Sequence, residues 1–300
     1  MFTIHPKYYE EFHCTASACS DNCCIGWEID IDEESLRRYM SVPGALGGRL
    51  KEHIDTTGSD PHFILTPNER CPFLNNDNLC DIILELGEES ICQICTDHPR
   101  FYECYEQGIE EGVGLCCEEA ARLILSGDPA LICLGKKELT EEEAYYMDLR
   151  EELMSGLCQG SWSIYNIFEE LPDLKELISF MKALEINSPH WLSLLGALEQ
   201  DADLIVASID TFESETSADY FSLLRYFIYR YFMKSRFDGD TDSYVNFCLL
   251  SVYMLEIMDI HSWLKNKELT LHSRVSNCKF YSQEIEYCTE NVEALMDLYI

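Results

Sequence analysis

Sixteen cysteines stand in this 300-residue chain, and their spacing is what carries chemistry. Four fall in the eleven residues Cys14 to Cys24: Cys14, Cys19, Cys23 and Cys24. Adjacent cysteines such as Cys23 and Cys24 do not readily bridge each other, because a disulfide demands its own Cα spacing and torsion. They do offer two thiolates from one tight turn. A second group holds Cys71, Cys80, Cys92 and Cys95, and Cys116–Cys117 form a third. Cys92-x-x-Cys95 is the spacing by which one turn gives two sulfurs to zinc or to an iron–sulfur cluster. The metal-ligand candidates are therefore Cys14, Cys19, Cys23, Cys24, Cys71, Cys80, Cys92, Cys95 and Cys117. A [4Fe–4S] cluster or a structural zinc takes four of them, and spacing alone leaves the four open. Cys158, Cys248, Cys278 and Cys288 are scattered and read as core fillers.

Other reactive types lie among the cysteines. Trp27 to Asp32 alternates, and as a strand it puts Asp30 and Asp32 on one face, where a pair of carboxylates can move a proton. Trp27, Tyr8, Tyr9 and Tyr102 offer aromatic faces to a cation. Arg100 has the planar fork that grips a carboxylate. His98 is a further metal-ligand candidate. Arg225 and Arg230, set in the aromatic run Ser217 to Phe237, are placed to reach a bound anion.

The elements that must position these groups change character along the chain. Residues 1–135 predict an irregular cysteine-cluster region with a few short strands. It holds a helix over Glu33 to Met40, a turn-rich stretch from Val42 to Gly48, and a strand at His62 to Leu65. The run Asn75-Asn-Asp-Asn78 is turn chemistry that sets Cys71 facing Cys80. Asp81 to Leu86 predicts a helix closed by Gly87, and Glu118 to Leu125 another, stopped near Gly127. Residues 136–300 predict an all-helical region on which the first packs, giving a mainly α fold. Thr140-x-x-Glu143 is a capping box opening a helix to about Leu157. Pro172 and Pro189 mark later helix starts, Phe247 to Trp263 is helical, and a last helix spans Asn277 to Tyr299.

Composition narrows the class. At 47% hydrophobic and 12% aromatic residues the chain is globular. No basic segment followed by an apolar stretch opens it, and the longest uncharged apolar run, Ser243 to Leu255, is too short to span a bilayer. A cytoplasmic protein with no membrane partner is expected, and in a reducing compartment clustered cysteines point to metal or redox chemistry. Asp and Glu number 55 against 21 Lys and Arg, a net charge of −34. Both halves share the excess: 8 basic and 25 acidic side chains through Gly135, then 13 and 30 beyond. Such a field repels nucleic acid and favours a basic or lysine-bearing partner.

The ordered motifs CTASACSDNCCIGWEIDID, CPFLNNDNLCDIILELGEE running into CTDHPR, LCCEEAARLIL and LRYFIYRYF together resemble the flagellin lysine-N-methylase family. The resemblance spans most of the chain. It implies transfer of methyl from S-adenosylmethionine to flagellin lysines, with an iron–sulfur cluster on the cysteines. Arg100 then meets the cofactor carboxylate with Trp27 nearby, and Asp30 and Asp32 receive or steer the lysine proton. Two other classes stay open: a non-catalytic zinc- or iron-binding interaction module, and a redox or metal-handling protein.

Overall fold

A computed structural model describes residues 1–20, 22–157, 164–166 and 172–298. In chain order its regular elements begin with β1 (Phe2–Pro6), α1 (Glu33–Ser41), α2 (Gly44–Glu52), β2 (Ile54–Asp55) and β3 (His62–Phe63). Next come α3 (Asp81–Leu86), α4 (Gln93–Asp97), β4 (Arg100–Tyr105), β5 (Gly108–Val113), α5 (Glu118–Ser126) and β6 (Leu131–Leu134). Helices α6 (Glu141–Leu157), α7 (Leu174–Ala183), α8 (Pro189–Ala207), α9 (Ile209–Glu215) and α10 (Phe221–Tyr231) follow. The last are α11 (Thr241–Asn266), α12 (Leu271–Glu284) and α13 (Thr289–Met296). Among the described residues the chain is mainly α, with short strands confined to its N-terminal part and helices alone beyond β6. It forms two compact units, His13–Arg100 and Met1–Phe12 with Phe101–Ile300. The boundary expected near Gly135 falls within the second unit, because β1 pairs there with both β5 and β6.

The cysteine-bearing unit is built on few apolar residues. The alternation read at Trp27 to Asp32 holds: Ile29 and Ile31 are buried, while Glu28 and Asp30 are exposed. Ile29 and Ile31 join Tyr39, Leu50, Phe63 and Phe73 in one core. The stretch expected as a turn from Val42 to Gly48 instead starts α2. Pro43 suits the helix entrance, and Gly47 is needed because a Cβ there would lie 1.8 Å from the Val42 carbonyl oxygen. Gly87 closes α3 as expected, at φ +94°, a conformation that glycine adopts without strain.

In the second unit a four-stranded sheet has the order β4-β5-β1-β6, with β1 parallel to β5 and antiparallel to β6. The capping box at α6 is present: Glu143 N donates to Thr140 Oγ1 (3.1 Å), and Thr140 N to Glu143 Oε2 (2.9 Å). Helix α11 is apolar all round because it is the centre of the unit, in contact with α8, α10, α12 and α13. It is long and apolar enough to cross a membrane, and 83% of that apolar window is buried in the unit. Cys248, Cys278 and Cys288 are buried fillers as expected, whereas Cys158 lies outside the described residues. The single helix expected from Asn277 onward is broken into α12 and α13. The break carries Glu286 into a buried network with Arg230 (3.1 Å), Tyr226 and Tyr231.

Candidate metal centre

Five cysteines meet in or against the core of the His13–Arg100 unit: Cys24, Cys71, Cys80, Cys92 and Cys95. Local structure explains how each arrives. Cys24 and Cys71 are joined by a backbone bond from Cys71 N to Cys24 O (2.8 Å). The loop Asn75–Leu79 is pinned by Asn75, whose side-chain oxygen accepts from the amides of Asp77 (2.9 Å) and Leu79 (3.1 Å). That brings Leu74 opposite Cys80, which stands at the start of α3. Cys92 opens α4, so Cys95 returns one turn later and the two sulfurs lie 3.3 Å apart.

The sulfurs act on one another electrically. Cys24 is pushed well up by its hydrogen bond with Cys23, by burial and by the charges of Cys23, Cys71 and Cys80. Burial pushes Cys71 up to about 11, with Cys80 and Cys92 adding to it, and raises Cys80 as well. Cys92 and Cys95 share a proton between their sulfurs: the bond holds Cys92 low and drives Cys95 up. Six sulfurs, Cys23 included, are thus brought near one another with no positive side chain among the causes of these shifts. A metal ion would supply such a charge, and thiolates are suited to be its ligands.

Tyr39 escaped the sequence reading. It is fully buried on α1, its hydroxyl has no hydrogen-bond partner among the described residues, and Cys92, Cys95 and Cys80 act on it. The signal available was its place four residues after Ser35, on the same buried helix face. A soft, all-sulfur donor set beside an unsatisfied hydroxyl fits a thiophilic metal or an iron–sulfur cluster.

The remaining candidates are distributed differently. Cys14 is exposed, its Sγ accepting from Ala16 N (3.4 Å), and Cys19 ends the short 3-10 turn Ala16–Ala18. Cys117 belongs to the other unit, where it precedes α5. Trp27 Nε1 donates to the Cys23 carbonyl, and its ring lies 6.0 Å from that of His98. Arg100 Nη1 donates to Thr96 O (3.1 Å) at the end of α4. Asp30 is exposed opposite His62. Asp32 is engaged by backbone: one oxygen accepts from Ser35 N (2.9 Å) and the other from Gln93 N (2.8 Å). It caps α1 and ties the entrance of α4, next to Cys92, to that cap. Arg230 has its charge met inside the fold by Glu286 and by the Tyr226 hydroxyl (2.6 Å). Arg225 stacks on Phe221, 4.5 Å from the ring centre.

Comparison with known proteins adds to this geometry. The chain is similar to the flagellar biosynthetic protein FliU of Salmonella muenchen, 30% identical over 146 residues, which cover 44% of this chain and 82% of that protein. It is also similar to proteins named lysine-N-methylase from Salmonella choleraesuis and Salmonella typhimurium, at 26% and 25% identity over 215 and 222 residues. Those matches cover 69% of this chain and 53% of each relative, so the matched stretch spans about half their length. No family model matches the chain, and neither does any solved structure.

Proposed function

The chain belongs to the flagellin lysine-N-methylase family, and from that premise we propose that it methylates protein lysines with a metal centre on its clustered cysteines. A methylase-type function at family level goes with the names of the relatives. The finer reading is transfer from S-adenosylmethionine to flagellin, with a [4Fe–4S] cluster held by four of Cys23, Cys24, Cys71, Cys80, Cys92 and Cys95. The observation that carries the metal centre is the convergence of these sulfurs without a counter-charge.

The Cys92 and Cys95 sulfurs, 3.3 Å apart, suit either zinc or a cluster; of the two, the family resemblance implies the cluster. When bound, it supplies an iron for polar groups of the cofactor or a path for electrons.

The chain's own residues do the rest. The Arg100 guanidinium, anchored through Nη1 on Thr96 O, is the planar fork assigned to the cofactor carboxylate. The Trp27 ring offers a face to an ammonium or sulfonium cation. A lysine attacks only after losing its proton, from an ordinary pKa of about 10.4. Asp30, exposed beside His62, is the carboxylate assigned to that proton, and Asp32 holds the frame.

Incubation of anaerobically purified protein with flagellin and S-adenosylmethionine tests the activity. We expect flagellin mass to rise in steps of one methyl per lysine, and Asp30→Asn and Arg100→Lys to slow it while leaving the fold intact. No mass gain from metal-loaded protein would replace the enzyme with a metal-binding interaction module.

A further inference from the structure

The helical unit holds a cleft that the chemistry above does not use. It measures about 1070 Å³ and lies between α9, the end of α8, the start of α10 and the middle of α11, with Tyr165 also lining it. Its charged lining is Asp210, Glu213, Asp219 and Glu256, with no Lys, Arg or His among the described lining residues. Asp210, Glu213 and Asp219 are exposed at the mouth, whereas Glu256 is 2% exposed.

A carboxylate that deep ordinarily has a cation against it. Among the described residues Glu256 makes no ion pair. Arg274, a positive charge that acts on it, is bonded to Asp259 (Nε to Oδ2, 2.9 Å). Beside Glu256 lies the buried Tyr165 hydroxyl, which acts on the carboxyl as a donor without a well-formed hydrogen bond. Glu256 and Tyr165 thus stand side by side in a negatively charged cleft, with no cation on them among the described residues. Phe212, Tyr165 and Tyr220 are the aromatic residues of the lining.

We propose that this cleft binds a lysine side chain of a partner protein, its ammonium seated at Glu256 and Tyr165, as a docking site apart from the methylated position. The lining dictates a cation; lysine among cations rests on the function proposed above. The volume exceeds one lysine side chain and leaves room for its neighbours in a peptide. Binding also carries a pH signature. Burial, with Glu213 and Asp259 nearby, pushes Glu256 up to about 8, against the pull of Arg274 and Tyr165. Lysine stays charged to about 10.4, so affinity rises as pH climbs through 8 and the carboxyl ionises.

An NMR titration with Nα-acetyl-lysine amide and its norleucine counterpart tests this without any methyl donor. The lysine derivative should bind wild type and Glu213→Gln, and bind Glu256→Gln at least tenfold more weakly, with norleucine weak throughout. Glu256→Gln keeps the shape of a carboxyl that is mostly protonated at neutral pH, so it should melt no lower than wild type there. Equal binding of lysine to wild type and Glu256→Gln, or of norleucine and lysine to wild type, would overturn the proposal. Lysine binding in a protein that never methylates would uphold the cleft and remove the enzymatic reading alone. Methylation of flagellin with an unchanged KM in Glu256→Gln would do the reverse.

Discussion

At the scale of single residues, Asp32 shows how one carboxylate reads differently in sequence and in space. Its alternating neighbours and the acidic pair with Asp30 suggested proton chemistry. Yet an Asp directly before Glu33-Glu34-Ser35 is also a helix-start signal, and that signal was legible. The bond to Gln93 was not, because it links residues 61 positions apart in the chain. Asp32→Ala should lower stability by about 1–2 kcal/mol, as the loss of a helix cap does. The group also gives a pH signature. Burial raises its pKa, but the amides of Gln93 and Ser35 outweigh burial and leave it lowered in the fold. A lowered pKa stabilises the fold above the unfolded value of about 3.9 and loses that contribution as pH falls through the folded value. Thermal melts from pH 6 down to pH 2 should therefore drop less steeply for Asp32→Asn than for wild type. Parallel curves would remove Asp32 from this account.

At the scale of elements, most helices were legible, α2 and the break before α13 were not, and neither was the sheet. The helix at Glu33, the capping box at Thr140 and the start of α8 at Pro189 all lie where local signals put them, because a helix is made of contacts three and four residues apart. Strand β1 has only five residues, and its partners β5 and β6 lie about a hundred residues away. Charged residues within β5 hid it further, since Glu110 is buried rather than solvated. Its carboxylate meets Arg150 of α6 in a two-pronged pair (2.5 and 2.9 Å) and accepts from the Tyr105 hydroxyl (2.8 Å). Removing one partner strands the other, so Glu110→Ala or Arg150→Ala should each cost about 3–5 kcal/mol. The double change Glu110→Leu with Arg150→Met should restore most of that loss. Denaturant midpoints check it, and a double variant as weak as the single ones would mean that the pair is needed for more than charge balance.

At the scale of the whole molecule, a charge of −34 sets the long-range field. Association with a lysine-rich protein surface should weaken steeply between low and physiological salt, as screening shortens that field to about 8 Å. Salt-independent binding to flagellin would contradict it. The cysteine groups were legible at this scale as well, because clustering of one residue type survives in the sequence. Which sulfurs meet was not, since the approach of Cys24 to Cys71 depends on backbone pairing between distant loops. The account stands most directly on one measurement: iron and acid-labile sulfide per chain, with the visible absorption spectrum, in anaerobically purified protein. It predicts a brown protein whose iron and sulfide fall at least severalfold in Cys24→Ser and Cys95→Ser and are unchanged in Cys248→Ser, which alters a core filler. A colourless wild-type protein, or full iron loading in both Cys24→Ser and Cys95→Ser, would contradict it.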